Sequence, residues 1–346
     1  MPIFCRASDI VNDEVVLDIS TAMDGAHNRW YLKLEALNPC GSIKLKTARY
    51  LVDAARRAQQ GRIRKLIESS SGNLGIALAS ICAAEEIPFE CVVDCNTLAE
   101  KIDCIRSLGA KVTIISEPDH NGGYLGSRIR YIKRRLEEDP ELIWTNQYAN
   151  TANAEAHFCT TAPALLRQLG HIDYLFIGAG TTGTLLGCAK FFNEVAPKTK
   201  IVAVDAVGSV TFGAAPGKRH IPGIGTSQRP PLLDNARGLL FEVVYAEEVD
   251  TIRKCRQLSE RTGLLIGGST GSVLAAAEAY CREERLTGKV IAAISADLGQ
   301  PYLSTIYSDS WVAEHYQDAL VVPGFRQAPK CYALAQMVGG LGQGAE

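Results

Sequence analysis

The chain has 346 residues, with 36 basic and 38 acidic side chains and a formal net charge of −2. That balance argues against a nucleic-acid or anionic-membrane binder, either of which needs a clustered basic excess. With 47% hydrophobic and 21% charged residues it is no disordered chain, and its length suits one large or two medium domains with a sizeable core.

Nothing in the chain reaches the roughly 20 consecutive apolar residues of a membrane span. The N-terminus, Met1 to Asp13, lacks a basic start followed by an apolar run, so no secretory signal is expected. The 11 cysteines are odd in number and scattered, and no histidine cluster accompanies the nearest pair, Cys91 and Cys95. Neither a disulfide scaffold nor a zinc site is expected, and no metal; reduced thiols in a cytoplasmic enzyme are.

Taken in order, the chain alternates between short apolar runs and helical patterns. A strand is predicted at 30–36, a helix at 44–59, a strand at 65–68 and a helix at 74–85. Next come a strand at 90–94, a helix at 98–108, a strand at 111–116 and a helix at 124–138. A helix at 154–169 leads to a strand at 174–178, a helix at 184–195 and a strand at 200–205. The Pro- and Gly-rich stretch 216–231 reads as a loop. A helix at 246–262, a strand at 264–267, a helix at 272–286 and a strand at 290–295 complete the series. Such alternation predicts an α/β fold of parallel sheets with helices on both faces. The tail after Val322 is expected to be poorly ordered or used only in contacts with another subunit.

Chemistry gathers at four strand-to-helix turns built of Gly, Ser, Thr and Asn. They are Asn38-Pro39-Cys40-Gly41-Ser42-Ile43-Lys44, Glu68-Ser69-Ser70-Ser71-Gly72-Asn73-Leu74-Gly75, Gly178-Ala179-Gly180-Thr181-Thr182-Gly183-Thr184 and Gly267-Gly268-Ser269-Thr270-Gly271-Ser272. In an open parallel sheet these turns collect at the carboxyl ends of the strands. Free N–H groups and the helix dipole there attract carboxylates and phosphates. One such turn is ordinary capping; four together predict a ligand with several anionic groups. The third also fits the dinucleotide spacing Gly-x-Gly-x-x-Gly, supported only by Asp205 after the next strand, and that reading leaves the other turns without a role.

Lys44 turns a binding site into a chemical one. A lysine at the positive end of a helix is electrostatically misplaced, and a depressed pKa there favours a nucleophilic amine able to form a Schiff base. A lysine with an anion nest is what pyridoxal phosphate requires.

These four segments, in this order, resemble the fold-type II pyridoxal-phosphate enzymes of the cysteine synthase and cystathionine β-synthase superfamily, over about residues 19–311. Further segments, among them Glu117 to Tyr124, Asn146 to Asn150, Ile221 to Gly225 and Tyr307 to Trp311, are similar to the N-(2-amino-2-carboxyethyl)-L-glutamate synthases of 2,3-diaminopropionate biosynthesis. The resemblance implies two open, twisted, mostly parallel sheets with flanking helices, as in tryptophan synthase β chains. It implies a large cofactor-binding domain (1–40 and 151–325), a smaller mobile substrate domain (41–150), a C-terminal tail (326–346) and a homodimer.

It also implies roles. Lys44 would hold the cofactor and remove the substrate α-proton, and Asn73 would bond the ring hydroxyl. Ser70, Ser71, Gly72 and Asn73 would receive the substrate carboxylate. Gly180, Thr181, Thr182, Gly183 and Thr184 would cradle the cofactor phosphate, with Ser269 facing the pyridine nitrogen. The implied reaction is β-replacement through an α-aminoacrylate, in which the amine of L-glutamate displaces phosphate from O-phospho-L-serine. Arg128 is the candidate counter-charge for that phosphate, with Lys46 and Arg219 behind it, and Tyr148 the candidate substrate contact. Cys40 is read as a packing residue. Lys44-Leu45-Lys46 and Ser295-Ala296-Asp297-Leu298-Gly299 depart from the cysteine synthase wording and imply an altered substrate surface. The alternatives are a cysteine synthase-type enzyme using sulfide, and a non-catalytic binding module of the same fold.

Overall fold

A computed structural model describes residues 3–24, 27–70, 72–120 and 122–316. Its strands are β1 (Val16–Asp18), β2 (Arg29–Leu34), β3 (Lys65–Ser69), β4 (Phe89–Asp94), β5 (Lys111–Ile115), β6 (Leu142–Trp144), β7 (Tyr174–Gly178), β8 (Lys200–Ala206), β9 (Glu242–Ala246) and β10 (Val290–Ser295). The α-helices are α1 (Lys44–Ala58), α2 (Asn73–Ala84), α3 (Ala99–Ser107), α4 (Leu125–Glu138), α5 (Ala152–Ala156), α6 (Ala162–Leu169), α7 (Gly183–Val195), α8 (Glu248–Thr262), α9 (Gly268–Glu283) and α10 (Asp309–His315).

The strands form two sheets. One has six strands in the order β1-β2-β10-β7-β8-β9, the other four in the order β5-β4-β3-β6. Every pairing is parallel except β1 with β2. Both faces of the larger sheet are covered. Along β7, Tyr174 and Phe176 face a core shared with Leu258 of α8 and Leu274 of α9, whereas Leu175 and Ile177 face Leu165 of α6 and Phe192 of α7. The smaller sheet repeats the scheme. Leu66, Cys91 and Val93 meet α1 and α2 on one face, and Ile67 and Val92 meet Ile132 of α4 on the other. This two-sided burial explains why the central strands read as continuous apolar runs.

Several expectations need correction. No strand forms at 264–267, where the ladder is a single bridge between Ile266 and Leu298. The Ile266 N–H donates to the Tyr307 hydroxyl at 3.1 Å, and that hydroxyl donates back to the Ile266 carbonyl at 2.8 Å, so a side chain satisfies the backbone. The fourth glycine-rich segment is the first turn of α9 itself, which starts at Gly268 instead of 272. The predicted helix 154–169 starts two residues earlier and carries a π-helical turn, His157–Thr161, between α5 and α6. Residue 246 ends β9, and the following helix starts at Glu248. β1 and β6, three residues each, are too short to show a period, and β9 and α10 were also not anticipated. The predicted tail, 326–346, lies outside the described residues.

Candidate active site

The ends of β3, β7 and β10 open onto one cleft between the two sheets, lined by Lys44, Ser70, Asn73, Tyr148, Gly180 to Thr184 and Ser269. The first turn is built by Asn38. Its side-chain amide donates to the carbonyls of Glu35 and Ser42, both at 2.9 Å, while its oxygen accepts the Cys40 N–H at 3.0 Å. The Ile43 N–H donates to the Ala296 carbonyl at 2.8 Å, tying this turn to the strand end of the other segment. Lys44 then opens α1. Its side chain is half-buried, with Nζ 3.5 Å from Thr181 Oγ1. Burial lowers its pKa to about 8, against the opposing pull of the Glu68 carboxylate.

The second turn leads from β3 to α2. Ser70 Oγ accepts the N–H groups of Gly72 at 3.1 Å and Gly75 at 2.9 Å. Gly72 has φ +133°, and a Cβ there would overlap the Lys101 side chain. Asn73 donates from Nδ2 to Asp297 Oδ2 at 2.8 Å. Ser71 lies outside the described residues.

In the third turn Thr182 adopts φ +66° and N-caps α7. Its hydroxyl is buried and has no protein partner. A Cβ on Gly183 would overlap the Asn153 carboxamide, which donates to Thr181 Oγ1 at 2.9 Å. Below the turn, His157 Nε2 lies 3.2 Å from both Thr184 Oγ1 and Thr47 Oγ1, and burial holds its pKa well below the usual imidazole range. Ser269 sits in the first turn of α9 against the Pro222 to Gly225 segment; a Cβ on Gly223 would lie 3.2 Å from Ser269 Oγ. An orphaned buried hydroxyl in a left-handed turn, at the start of a 13-residue helix with a lysine beside it, fits pyridoxal phosphate.

Other expected residues lie elsewhere. Arg128 is buried beside Tyr148 and outside the cleft lining, with Nε 3.5 Å from Asp94 Oδ2 and without a hydrogen-bond partner for Nε or Nη1. Burial raises the Tyr148 pKa while the Arg128 charge opposes it. Lys46 does not reach the cleft as a counter-charge. Its ammonium is buried in ion pairs with Glu35 at 2.6 Å and with Asp13, and donates to Thr161 Oγ1 at 3.0 Å. Arg219 donates to the Ile224 carbonyl at 3.2 Å and so braces the loop. Asp205 is fully buried and accepts the Ala206 N–H at 2.9 Å, so it offers no carboxylate to a ribose. Burial raises the Cys40 thiol, in keeping with packing.

Lys101, Gln147, Asp297 and Tyr302 also line the cleft and were not anticipated as site residues. Asp297 carried a signal, standing in a segment whose wording departs from the cysteine synthase pattern. Lys101 carried none, since its helix reads like any amphipathic one.

The chain belongs to the pyridoxal-phosphate dependent enzyme family, which matches residues 18–297. It is an enzyme of fold type II. A N-(2-amino-2-carboxyethyl)-L-glutamate synthase from Ralstonia nicotianae is 37% identical over 88% of this chain and 90% of its own. One of the same name from Cupriavidus metallidurans is 39% identical over 82% of this chain and 84% of its own. Among solved structures, an O-acetylserine dependent cystathionine beta-synthase from Helicobacter pylori superposes with a TM-score of 0.81 at 29% identity, covering 89% of this chain and all 100% of that one. An O-ureido-L-serine synthase gives 0.77 at 28% identity, over 90% and 100%.

The Lys44 environment has a kinetic consequence. A neutral amine attacks an aldehyde, so capture of pyridoxal phosphate by cofactor-free protein is expected to accelerate with rising pH and level off above about 8. Stopped-flow absorbance across pH 6–10 checks this against the ordinary lysine pKa of about 10.4. A rate still climbing at pH 10 would contradict the burial effect.

Proposed function

We propose that the enzyme catalyses β-replacement on O-phospho-L-serine, adding the amine of L-glutamate at Cβ and releasing phosphate. The observation that carries this reading is Lys44, its amine lowered to about 8, lying 3.5 Å from a threonine of the anion cradle. Two relatives that cover most of the chain and bear the synthase name support the product.

Bound pyridoxal phosphate supplies an electron sink that weakens the bonds at the substrate α-carbon. Lys44 holds the cofactor through its ε-amine, then removes the α-proton and later returns it, as a base with a pKa near the working pH can. Ser70 shapes the loop by accepting the Gly72 and Gly75 N–H groups, and Ser70, Ser71, Gly72 and Asn73 are the residues that would receive the substrate carboxylate. Asn73 would bond the ring hydroxyl, and residues 180–184 would hold the phosphate with backbone N–H groups and hydroxyls. Ser269 would face the pyridine nitrogen. A hydroxyl there would not keep that nitrogen protonated as a carboxylate would, which would favour loss of a β leaving group over transamination. In this reading residues 41–150 form the mobile substrate domain, and the enzyme works as a homodimer.

In this reading Arg128 lends its positive charge to the departing phosphate from behind Tyr148, outside the cleft lining, where it is paired with Asp94 and leaves Nε and Nη1 without a hydrogen-bond partner. Arg128→Ala is expected to raise KM for O-phosphoserine about tenfold or more while sparing O-acetylserine; equal kinetics with both donors would remove the role. The whole reading is tested by pairing both donors with a panel of amino acids and sulfide. Phosphate release dependent on glutamate supports it, and release driven by sulfide alone overturns it.

A further inference from the structure

Lys101 enters the cleft from α3, on the side of the smaller sheet, and is only 5% exposed. Its stem crosses Gly72, whose missing side chain leaves the path open. Nζ donates to the Tyr302 hydroxyl at 3.1 Å and lies 4.0 Å from Asp297 Oδ2, beyond hydrogen-bond reach. That oxygen is engaged elsewhere, accepting from Tyr302 at 2.6 Å and from Asn73 at 2.8 Å. An ammonium carries three donors, and among the described residues this one uses a single one. Burial accordingly lowers its pKa, with Asp297 opposing. Asp297 pairs with this charge electrostatically without taking a hydrogen bond, and the unused donors are costly to keep buried until a further anion accepts them.

The surroundings select the kind of anion. Among the described residues lining the cleft, Lys44 and Lys101 are the only cations and Asp297 the only carboxylate. Lys44 is committed to the cofactor. Lys101 stands over the turn at Ser70 and Gly72, where the start of the 12-residue α2 adds its own positive potential.

We propose that Lys101 is a substrate-binding residue that holds a carboxylate of an amino-acid substrate over the turn opening α2. This inference rests on the reading of the cleft as an amino-acid site. The carboxylate belongs either to the serine-type donor or to the acceptor, and one set of measurements separates the two.

Lys101→Met and Lys101→Arg holoenzymes are titrated with L-serine and L-serinamide, following the absorbance of the bound cofactor. If the donor carboxylate is the partner, the Met variant binds L-serine about tenfold or more weakly, L-serinamide is unaffected, and Arg restores most of the loss. If the acceptor is the partner, serine binding is unchanged. KM for L-glutamate then rises by a similar factor at constant kcat, and an acceptor amide lacking that carboxylate escapes the effect. Either result supports the proposal. Carboxylate and amide probes weakened equally, or unaffected in both arms, overturn it. Because each comparison is made within one protein, a poorly folded variant lowers both probes together and reads as overturning. Should the wild-type enzyme fail to join phosphoserine to glutamate, the function proposed above falls, and the serine–serinamide ratio alone decides Lys101.

Discussion

Lys44→Ala is expected to abolish turnover, by more than about 10⁴-fold, because under the proposed function one substitution removes both the cofactor's attachment and the general base. Borohydride treatment of the wild-type holoenzyme should leave a stable adduct that peptide mass analysis locates at Lys44. The alanine variant should show none. The result bears on a specific competitor, since Lys101 lines the same cleft with a lowered pKa of its own. Of the two, Lys44 lies beside Thr181 of the cradle, at 3.5 Å, and opens α1. Retained turnover, or an adduct that moves to Lys101 with activity intact, would refute the assignment.

The second large effect is expected at Gly183. A side chain there would overlap the Asn153 carboxamide. Asn153 is fully buried and cannot yield cheaply. Its Nδ2 donates to the Gln147 carbonyl at 2.7 Å and to Thr181 Oγ1 at 2.9 Å, and its oxygen accepts from Thr47 Oγ1 at 3.1 Å. Relieving the overlap means breaking some of these bonds, at about 1–3 kcal/mol for a stranded buried group, plus about 1–3 kcal/mol for overpacking. Gly183→Ala should therefore lower the urea midpoint and weaken cofactor affinity at least about tenfold, both measurable by fluorescence. Asn153→Ala made with it should recover part of the loss by vacating the space. Wild-type stability and affinity in Gly183→Ala would show that the cradle is not braced in this way.

Much of the architecture was legible because buried parallel strands must be apolar on both faces. β7 and β10 were read with the bounds they have. The misreadings have physical causes as well. At 264–267 the run is apolar like the others, but the Tyr307 hydroxyl takes the backbone bonds a neighbouring strand would have made. The Gly-Gly-Ser-Thr-Gly-Ser segment reads as a turn by composition, yet folds as helix. Its glycines leave space that packing demands, since a Cβ on Gly271 would overlap the Cys255 thiol and lie 2.9 Å from the Thr251 carbonyl.

The site divides along the same line. Residues 44, 70, 73, 180–184 and 269 could be singled out because each lies in a local segment whose backbone chemistry attracts anions wherever it folds. The family resemblance rested on those same segments. Lys46 was expected behind Arg128 as a counter-charge, and only folding brought Glu35 and Asp13 against it. Lys101, Asp297 and Tyr302 stand up to 201 residues apart and meet only where the two sheets face one another. The linear chain thus determined which backbone turns can grip an anion, a property of neighbours in sequence. Which charged side chains remain available to a substrate was decided by tertiary packing, because a buried charge is silenced or exposed by partners that arrive from distant parts of the chain.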